Sequence, residues 1–332
     1  MEFPKLPPVD TANPNEWQGH DPYGATRVAA AYCGYQGRPH INAVWQHGCM
    51  PPWMDDGPHS FPSGHVSIES RWFPVFVARQ AEALLLANAG YRRVKAIGLP
   101  FLYLPDVGVE RRPGSLLVVP VHSLSGIGFA DLAVMDAYAD HIASIKKSFS
   151  TVVASVHSGC LANGYWTRQF DARGIAWVKG AEATDQNALL RMKMLFSQFE
   201  YVTTNGWGSH IPYALFSGAK LSFGGPVPIP SQEQYLMDPG SGNNLDLASY
   251  YTSPRFLQEE AEFLAHFRRH PSEGIADIAL GESLLGHDVK QTPQQLMDTF
   301  RWTTIGKIAD IPIRVGLNLA QIRNLLRTLL RR

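Results

Sequence analysis

Phe199-Glu-Tyr-Val-Thr-Thr-Asn-Gly-Trp-Gly-Ser-His-Ile-Pro-Tyr-Ala-Leu215 is the stretch on which the fold turns. Tyr201 to Thr203 predicts a short buried strand. A turn of glycines and small polar residues follows, and His210 opens a helix that carries Tyr213, Ala214 and Leu215. Ser217-Gly218 supplies a helix stop, and Ala219-Lys-Leu-Ser-Phe223 predicts the next strand. Strand, turn, helix, strand is a βαβ unit, and open parallel sheets bind ligands beyond the carboxyl ends of their strands. Backbone N–H groups at a helix N-terminus favour an anion, most often phosphate.

Working back from that unit, the same alternation recurs. Ser115 to Val121 is a continuous apolar run, as a parallel strand buried on both faces should be, and it leads into His122-Ser123. A helix is predicted over 131–149, and a strand over Thr151 to Val156 ending in His157-Ser158-Gly159. Another strand covers Ile175 to Val178, and a helix covers 185–197. Further upstream, a helix over Thr26 to Ala31 precedes strands over Ile41–Trp45, Trp72–Ala78 and Val94–Ile97. A helix lies between the last two, with Gly90 closing it. Cys49 to Glu69 is a long Pro-rich loop, of the kind that is usually functional. Asp106 to Gly114 reads as a linker. Downstream, 225–253 reads as a Gly/Pro/Asn/Ser-rich loop, followed by helices over 254–270, 276–286 and 292–302.

The pattern predicts an α/β protein with two Rossmann-like domains and a C-terminal helical segment. The domains expected are 1–110, an acceptor-side unit, and 111–305, a donor-binding unit. Residues 306–332 follow as a basic amphipathic helix. In it Ile322, Leu325, Leu326, Leu329 and Leu330 share one face and Arg323, Arg327 and Arg331 the other. Such a helix suits an anionic membrane surface. The alternative is packing back on the first domain.

Composition narrows the class. The chain has 332 residues, 45% of them hydrophobic and 17% charged, with 29 Lys plus Arg against 29 Asp plus Glu. That balance gives no global field for nucleic acid. Cys33, Cys49 and Cys160 have no paired spacing and read as reduced thiols of a cytosolic protein. The N-terminal residues lack a signal-peptide layout, and no apolar run is long enough to span a bilayer. The expected location is cytoplasmic, with peripheral attachment at the inner face of the membrane through the terminal helix.

Three strands end in a histidine followed by a small residue, His47-Gly48, His122-Ser123 and His157-Ser158, and His210 opens the helix of the central unit. Histidines gathered at one cleft suit proton transfer near neutral pH or donation to phosphate.

Several motifs, in order, carry a family resemblance. Trp45-Gln-His-Gly48 resembles the His-Gly element in the first domain of GT-B-type transferases of bacterial surface polymers. Among these are polyglycerol-phosphate polymerases and the glycosyltransferases of capsule and O-antigen chains. Tyr91-Arg-Arg-Val-Lys-Ala-Ile-Gly-Leu-Pro100 resembles the strand and turn that close that domain, and Leu116-Leu-Val-Val-Pro-Val-His-Ser123 the first strand of the next. Val202-Thr-Thr-Asn-Gly-Trp-Gly-Ser-His210 resembles the turn that holds the donor phosphate. The resemblance spans about Ile41 to Phe223. It departs at His157-Ser158, where many relatives have His-Pro.

The resemblance implies inverting, metal-independent transfer of a sugar from a nucleotide-sugar donor to a growing glycan or lipid-linked glycan. No cofactor is expected beyond that co-substrate. His47 would be the general base, with Asp55 or Asp56 as the rival. Thr204, Asn205, Gly208 and Ser209 would hold the donor phosphates. His122, with Ser123 beside it, His157 and His210 would offset charge on the departing nucleotide. Three alternatives stay open: transfer of a phosphate-linked group such as phosphoglycerol, a non-catalytic nucleotide- or glycan-binding protein, and a nucleotide-sugar epimerase.

Other signals are weaker. Phe61-Pro-Ser-Gly-His65 matches one signature of type 2 phosphatidic acid phosphatases, but the accompanying Lys, Arg-Pro and Ser-Arg elements are not at their spacings. His47, Cys49, Asp56, His59 and His65 lack the tight pairing of zinc ligands. There is no Gly-x-Gly-x-x-Gly and no Walker loop.

Overall fold

Short β-branched runs build the first sheet, and longer ones build the second. The computed structural model describes residues 6–11, 22–46, 48–53, 71–121, 131–229, 231–237 and 245–303. After helix α1 (Ala25–Cys33), strands β1 (Val44–Trp45), β2 (Val75–Val77) and β3 (Val94–Ala96) form a parallel sheet in that order. Helix α2 (Gln80–Asn88) joins β2 to β3. The Glu82 carboxylate accepts from the backbone N–H groups of Ala78 and Arg79, satisfying donors at the helix start. Gly90, at φ 90°, turns the chain out of the helix.

The second sheet starts with β4 (Arg112–Val118). After it come α3 (Leu132–Ile145), β5 (Thr151–Val156), α4 (Ser158–Leu161), α5 (Thr167–Asp171) and β6 (Ala176–Lys179). Next are α6 (Ala188–Gln198), β7 (Phe199–Thr204), α7 (His210–Phe216) and β8 (Lys220–Phe223). All pairs are parallel, in the order β6-β5-β4-β7-β8. The chain winds outward from β4 through β5 and β6, then returns to the other side of β4 with β7 and β8. The strand order therefore reverses between β4 and β7, where such sheets bind ligands.

Alternate residues of each strand feed opposite faces. Leu116, Val118, Val152 and Ala154 pack with Met135 and Tyr138 of α3. Leu117, Val119, Val153 and Val202 face a core that also holds Trp45, Phe76 and Leu99 of the first unit. The two sheets thus share one core. Phe101 stacks on Tyr213 of α7 with centroids 4.0 Å apart. The Trp45 indole donates to the carbonyl of Gly98, 2.9 Å away.

The chain continues through α8 (Gln232–Met237), α9 (Leu245–Tyr251), α10 (Pro254–Ala265), α11 (Ile278–Leu285) and α12 (Pro293–Thr299). Helix α11 packs on α7 and hands the chain back to the first sheet, where Leu99 N–H donates to the Leu285 carbonyl. Gly286 has φ 78°, and a Cβ there would lie 1.9 Å from the Ala78 carbonyl oxygen, so only glycine fits this crossing. Helix α12 then lies on α1, and the Trp302 indole donates to the His40 carbonyl.

The fold class read from the sequence is the one found, with two corrections. The expected linker 106–114 is partly strand: β4 begins at Arg112, and the Arg111 guanidinium donates to the carbonyls of Phe196, Phe199 and Ser217. Burying that charge tolerates no slack chain. The expected loop over 225–253 contains α8 and α9, held by aromatic contacts such as the stacked pair Tyr235–Tyr251. Residues 306–332 lie outside the described residues.

Candidate functional site

The turn after β7 is fastened from beneath. Asn205 is fully buried; its Oδ1 accepts from Val121 N–H at 3.0 Å and its Nδ2 donates to the Pro226 carbonyl at 3.0 Å. One amide thereby ties the exits of β4, β7 and β8 together. Thr204 is also fully buried, with Oγ1 3.2 Å from the Gly206 carbonyl and 2.7 Å from His210 Nε2. Ser209 Oγ accepts from Cys49 N–H at 2.9 Å, which ties the turn to the chain beyond β1. Just beyond β5, on the far side of β4, His157 caps α4, its Nδ1 accepting from Gly159 N–H at 3.1 Å.

Above these anchors lies a cavity of about 450 Å³. Its floor is Val119, Pro120, Val121, Ser155, His157, Gly206, Gly208, Ser209 and His210, the carboxyl edge of β4, β5 and β7. Gly48 closes it from the first unit and Ala188, Leu189 and Met192 of α6 from the side. The roof is Ile229, Tyr235, Tyr251, Phe256, Leu257 and Glu260, from the loop after β8 and from α8 to α10.

Among the described lining residues Glu260 is the carboxylate. It accepts from the Trp207 N–H at 3.1 Å, and burial raises its pKa above the ordinary 4.5 while the N–H contact opposes the rise. Burial pushes Tyr251 up to about 12, so it stays a neutral phenol. Burial likewise pushes the Cys49 thiol up to about 12, which makes it a poor nucleophile.

Four residues expected at the site, His157, Gly208, Ser209 and His210, line this one cavity. Thr204 and Asn205 do not. Both lie below the floor with side chains bonded inside the protein, so their expected direct hold on a donor phosphate gives way to holding the turn. Helix α7 runs from His210 to Phe216, between the opening and the stop that the sequence indicates. His47, Asp55, Asp56, His122 and Ser123 lie outside the described residues. Their described neighbours Gly48 and Val121 both line the cavity.

The sequence reading missed the roof. Glu260 sits in an ordinary amphipathic helix, and only its partner Trp207, 53 positions earlier, distinguishes it. The cluster Tyr250-Tyr251 with Tyr235 was the available signal for a packed segment. Among the described residues no group of three or more His, Cys, Asp and Glu could hold a metal ion, and no helix is long and apolar enough to cross a membrane.

These features define a parallel α/β protein of two Rossmann-like units with a mainly apolar cleft at the strand switch. No family model and no curated protein matches the chain. Among solved structures it has a likeness to Os79 from O. sativa in complex with UDP and deoxynivalenol-3-glucoside, at 14% identity and a TM-score of 0.28. That match covers 68% of this chain and 49% of the other. A second likeness is to Phytolacca americana UGT2 complexed with UDP-2-fluoro-glucose and pterostilbene, at 13% identity and a TM-score of 0.26, covering 74% and 54%. The chain spans about half the length of these structures.

Proposed function

We propose that the chain is a GT-B-type glycosyltransferase that moves a sugar from a nucleotide-activated donor to a bacterial surface glycan. The observation that carries this reading is the cavity over the switch point between β4 and β7. One side offers two imidazoles, two serines and glycine backbone, and the other offers aromatic rings. A volume of about 450 Å³ suits a ligand of nucleotide-sugar size. The polar floor fits a diphosphate, and the aromatic roof fits the flat or apolar remainder of the ligand.

In this reading His157 and His210 stabilise charge growing on the nucleotide phosphate as the glycosidic bond to it breaks. The acceptor hydroxyl is activated by His47, or by Asp55 or Asp56, from the side of the first unit. The terminal helix over 306–332 holds the enzyme at an anionic membrane surface where a lipid-linked acceptor resides.

The test is thermal stabilisation by UDP, GDP, CMP and CDP and by their sugar-linked forms, with and without EDTA, followed by product analysis. The reading expects one nucleotide to raise the Tm and its sugar conjugate to be turned over. No stabilisation by any of them would remove its main support. Turnover of CDP-glycerol alone would make the enzyme a glycerophosphotransferase. A binding nucleotide without turnover would make the chain a binding protein, and interconversion of the free nucleotide-sugar an epimerase. Liposome association lost on removing residues 313–332 is expected for the membrane attachment.

A further inference from the structure

We propose that Ser155 receives the base of a nucleotide, as the hydrogen-bonding point of an otherwise apolar subsite. The inference rests on reading the cleft as a nucleotide-donor site. Ser155 stands one residue before the end of β5, in the otherwise apolar run Val152-Val-Ala-Ser-Val156. It is 4% exposed, yet it lines the cavity, and its Oγ has no hydrogen-bond partner among the described residues. A buried hydroxyl without a partner costs stability, and alanine would fill this strand position without that cost. At the edge of a ligand cavity, the hydroxyl is left for what enters.

Strand alternation puts Ser155 on the face of β5 that carries Val153. Val153 shares a core with Leu189 and Met192 of α6, and these two residues line the same cavity beside Ala181 and Ala188. The chain just past β6 makes room for the hydroxyl: a Cβ on Gly180 would lie 2.6 Å from Ser155 Oγ. One hydroxyl is thus set where the floor meets an apolar side wall. That pattern selects the part of the ligand that fits. A sugar carries hydroxyls around its whole rim and needs several polar partners, and a phosphate needs several N–H groups or cations. A nucleobase has apolar faces and confines its polar atoms to its edge, so an apolar wall with one hydrogen-bonding group suits it. The serine hydroxyl rotates, and it can donate to a base carbonyl or accept from a base amino group. It therefore binds a polar base edge without ranking the bases.

The experiment is calorimetry on the full chain, wild type and Ser155→Ala, with melting curves of the ligand-free proteins. The probes are UDP, GDP, CMP and CDP, and the base-free ribose 5-phosphate and inorganic pyrophosphate. Each nucleotide that binds the wild type is expected to bind Ser155→Ala about 3- to 10-fold more weakly, as for loss of one neutral hydrogen bond. The base-free probes keep whatever affinity they have. The Tm of ligand-free Ser155→Ala is expected to stay level or rise, because alanine removes an unsatisfied polar group. A structural serine would lower it, and a marked fall or a failure to fold overturns the proposal. Gly180→Ala, which sets a Cβ against the hydroxyl, should weaken the same nucleotides in the wild type and have less effect in Ser155→Ala; additive losses overturn the proposal. Equal nucleotide affinity in wild type and Ser155→Ala overturns it and leaves the donor-site reading intact. Equal weakening of the base-free probes assigns Ser155 to the phosphate and also overturns it. If no nucleotide binds the wild type, the donor-site reading falls and the base subsite with it.

Discussion

The floor and the roof of the cleft are held by different means. The floor is held by hydrogen bonds from fully buried polar side chains, Thr204 and Asn205, to backbone and imidazole. The roof is held by ring contacts: Tyr235 on Tyr251, and Tyr250 and Tyr251 on Phe256. Hydrogen bonds in a buried turn fix atoms to a few tenths of an ångström, as a site for developing charge requires. Ring contacts are less directional and tolerate ligands of varied outline. The floor is therefore the place for chemistry and the roof the place for affinity.

The sharpest way to break this division is to remove an imidazole from the floor. His210→Ala is expected to lower kcat by about 10²–10³, the effect of losing one preorganised donor to a developing anion. The check is a transfer assay with the donor that the stabilisation screen identifies, with the Tm confirming a folded protein. Turnover close to wild type would mean the floor is structural only.

Next in size is the fastening itself. Asn205→Ala removes the partners of Val121 N–H and the Pro226 carbonyl in a turn with no room to rearrange. A loss of about 2–6 kcal/mol of stability is expected, at about 1–3 for each of the two groups left unpaired. Urea unfolding measures it. A loss below about 0.5 kcal/mol would show that water replaces the amide, and that the floor is less rigid than argued.

The same contrast explains what the sequence disclosed. The central turn of the floor is local: strand, turn and helix follow one another from Phe199 to Phe216, and the apolar run and small-residue turn state it directly. The large sheet followed for the same reason, with Thr151–Val156 recovered to the residue. The roof is non-local. Leu245–Tyr251 follows a stretch rich in Gly and Asn that reads as loop, and its helix is held by rings from Tyr235 and Phe256. Glu260 acquires its meaning from Trp207, and Thr204 from His210, and neither pairing is visible in composition or period. Hydroxyls in a turn were read as ligands for phosphate because burial, which sends them inward, is set by the surrounding core.

The roof should respond more gently. Tyr235→Ala removes one ring of the stacked pair, whose centroids are 5.5 Å apart. The KM or Kd for the donor is expected to rise about 5- to 10-fold, as for loss of an aromatic contact of roughly 1 kcal/mol, with kcat unchanged. A fall in kcat with KM unchanged would place chemistry in the roof and reverse the comparison.

The smallest effect belongs to Glu260, where the two walls meet. Burial holds its pKa above the ordinary 4.5, and the Trp207 N–H only partly offsets this. The folded protein therefore binds more proton here than the unfolded chain between the ordinary value and the raised one. By linkage, the contribution to stability is fully present below 4.5 and is lost as pH rises through the folded value. Glu260→Gln keeps an acceptor for Trp207 N–H and cannot ionise. Its Tm should fall less than that of the wild type as pH rises from about 4 toward neutrality, and the gap should stop growing once Glu260 is ionised. Parallel melting curves at every pH would mean that Glu260 is solvated rather than enclosed by the roof. The roof would then be an open lip, and the affinity assigned to it would have to come from the floor.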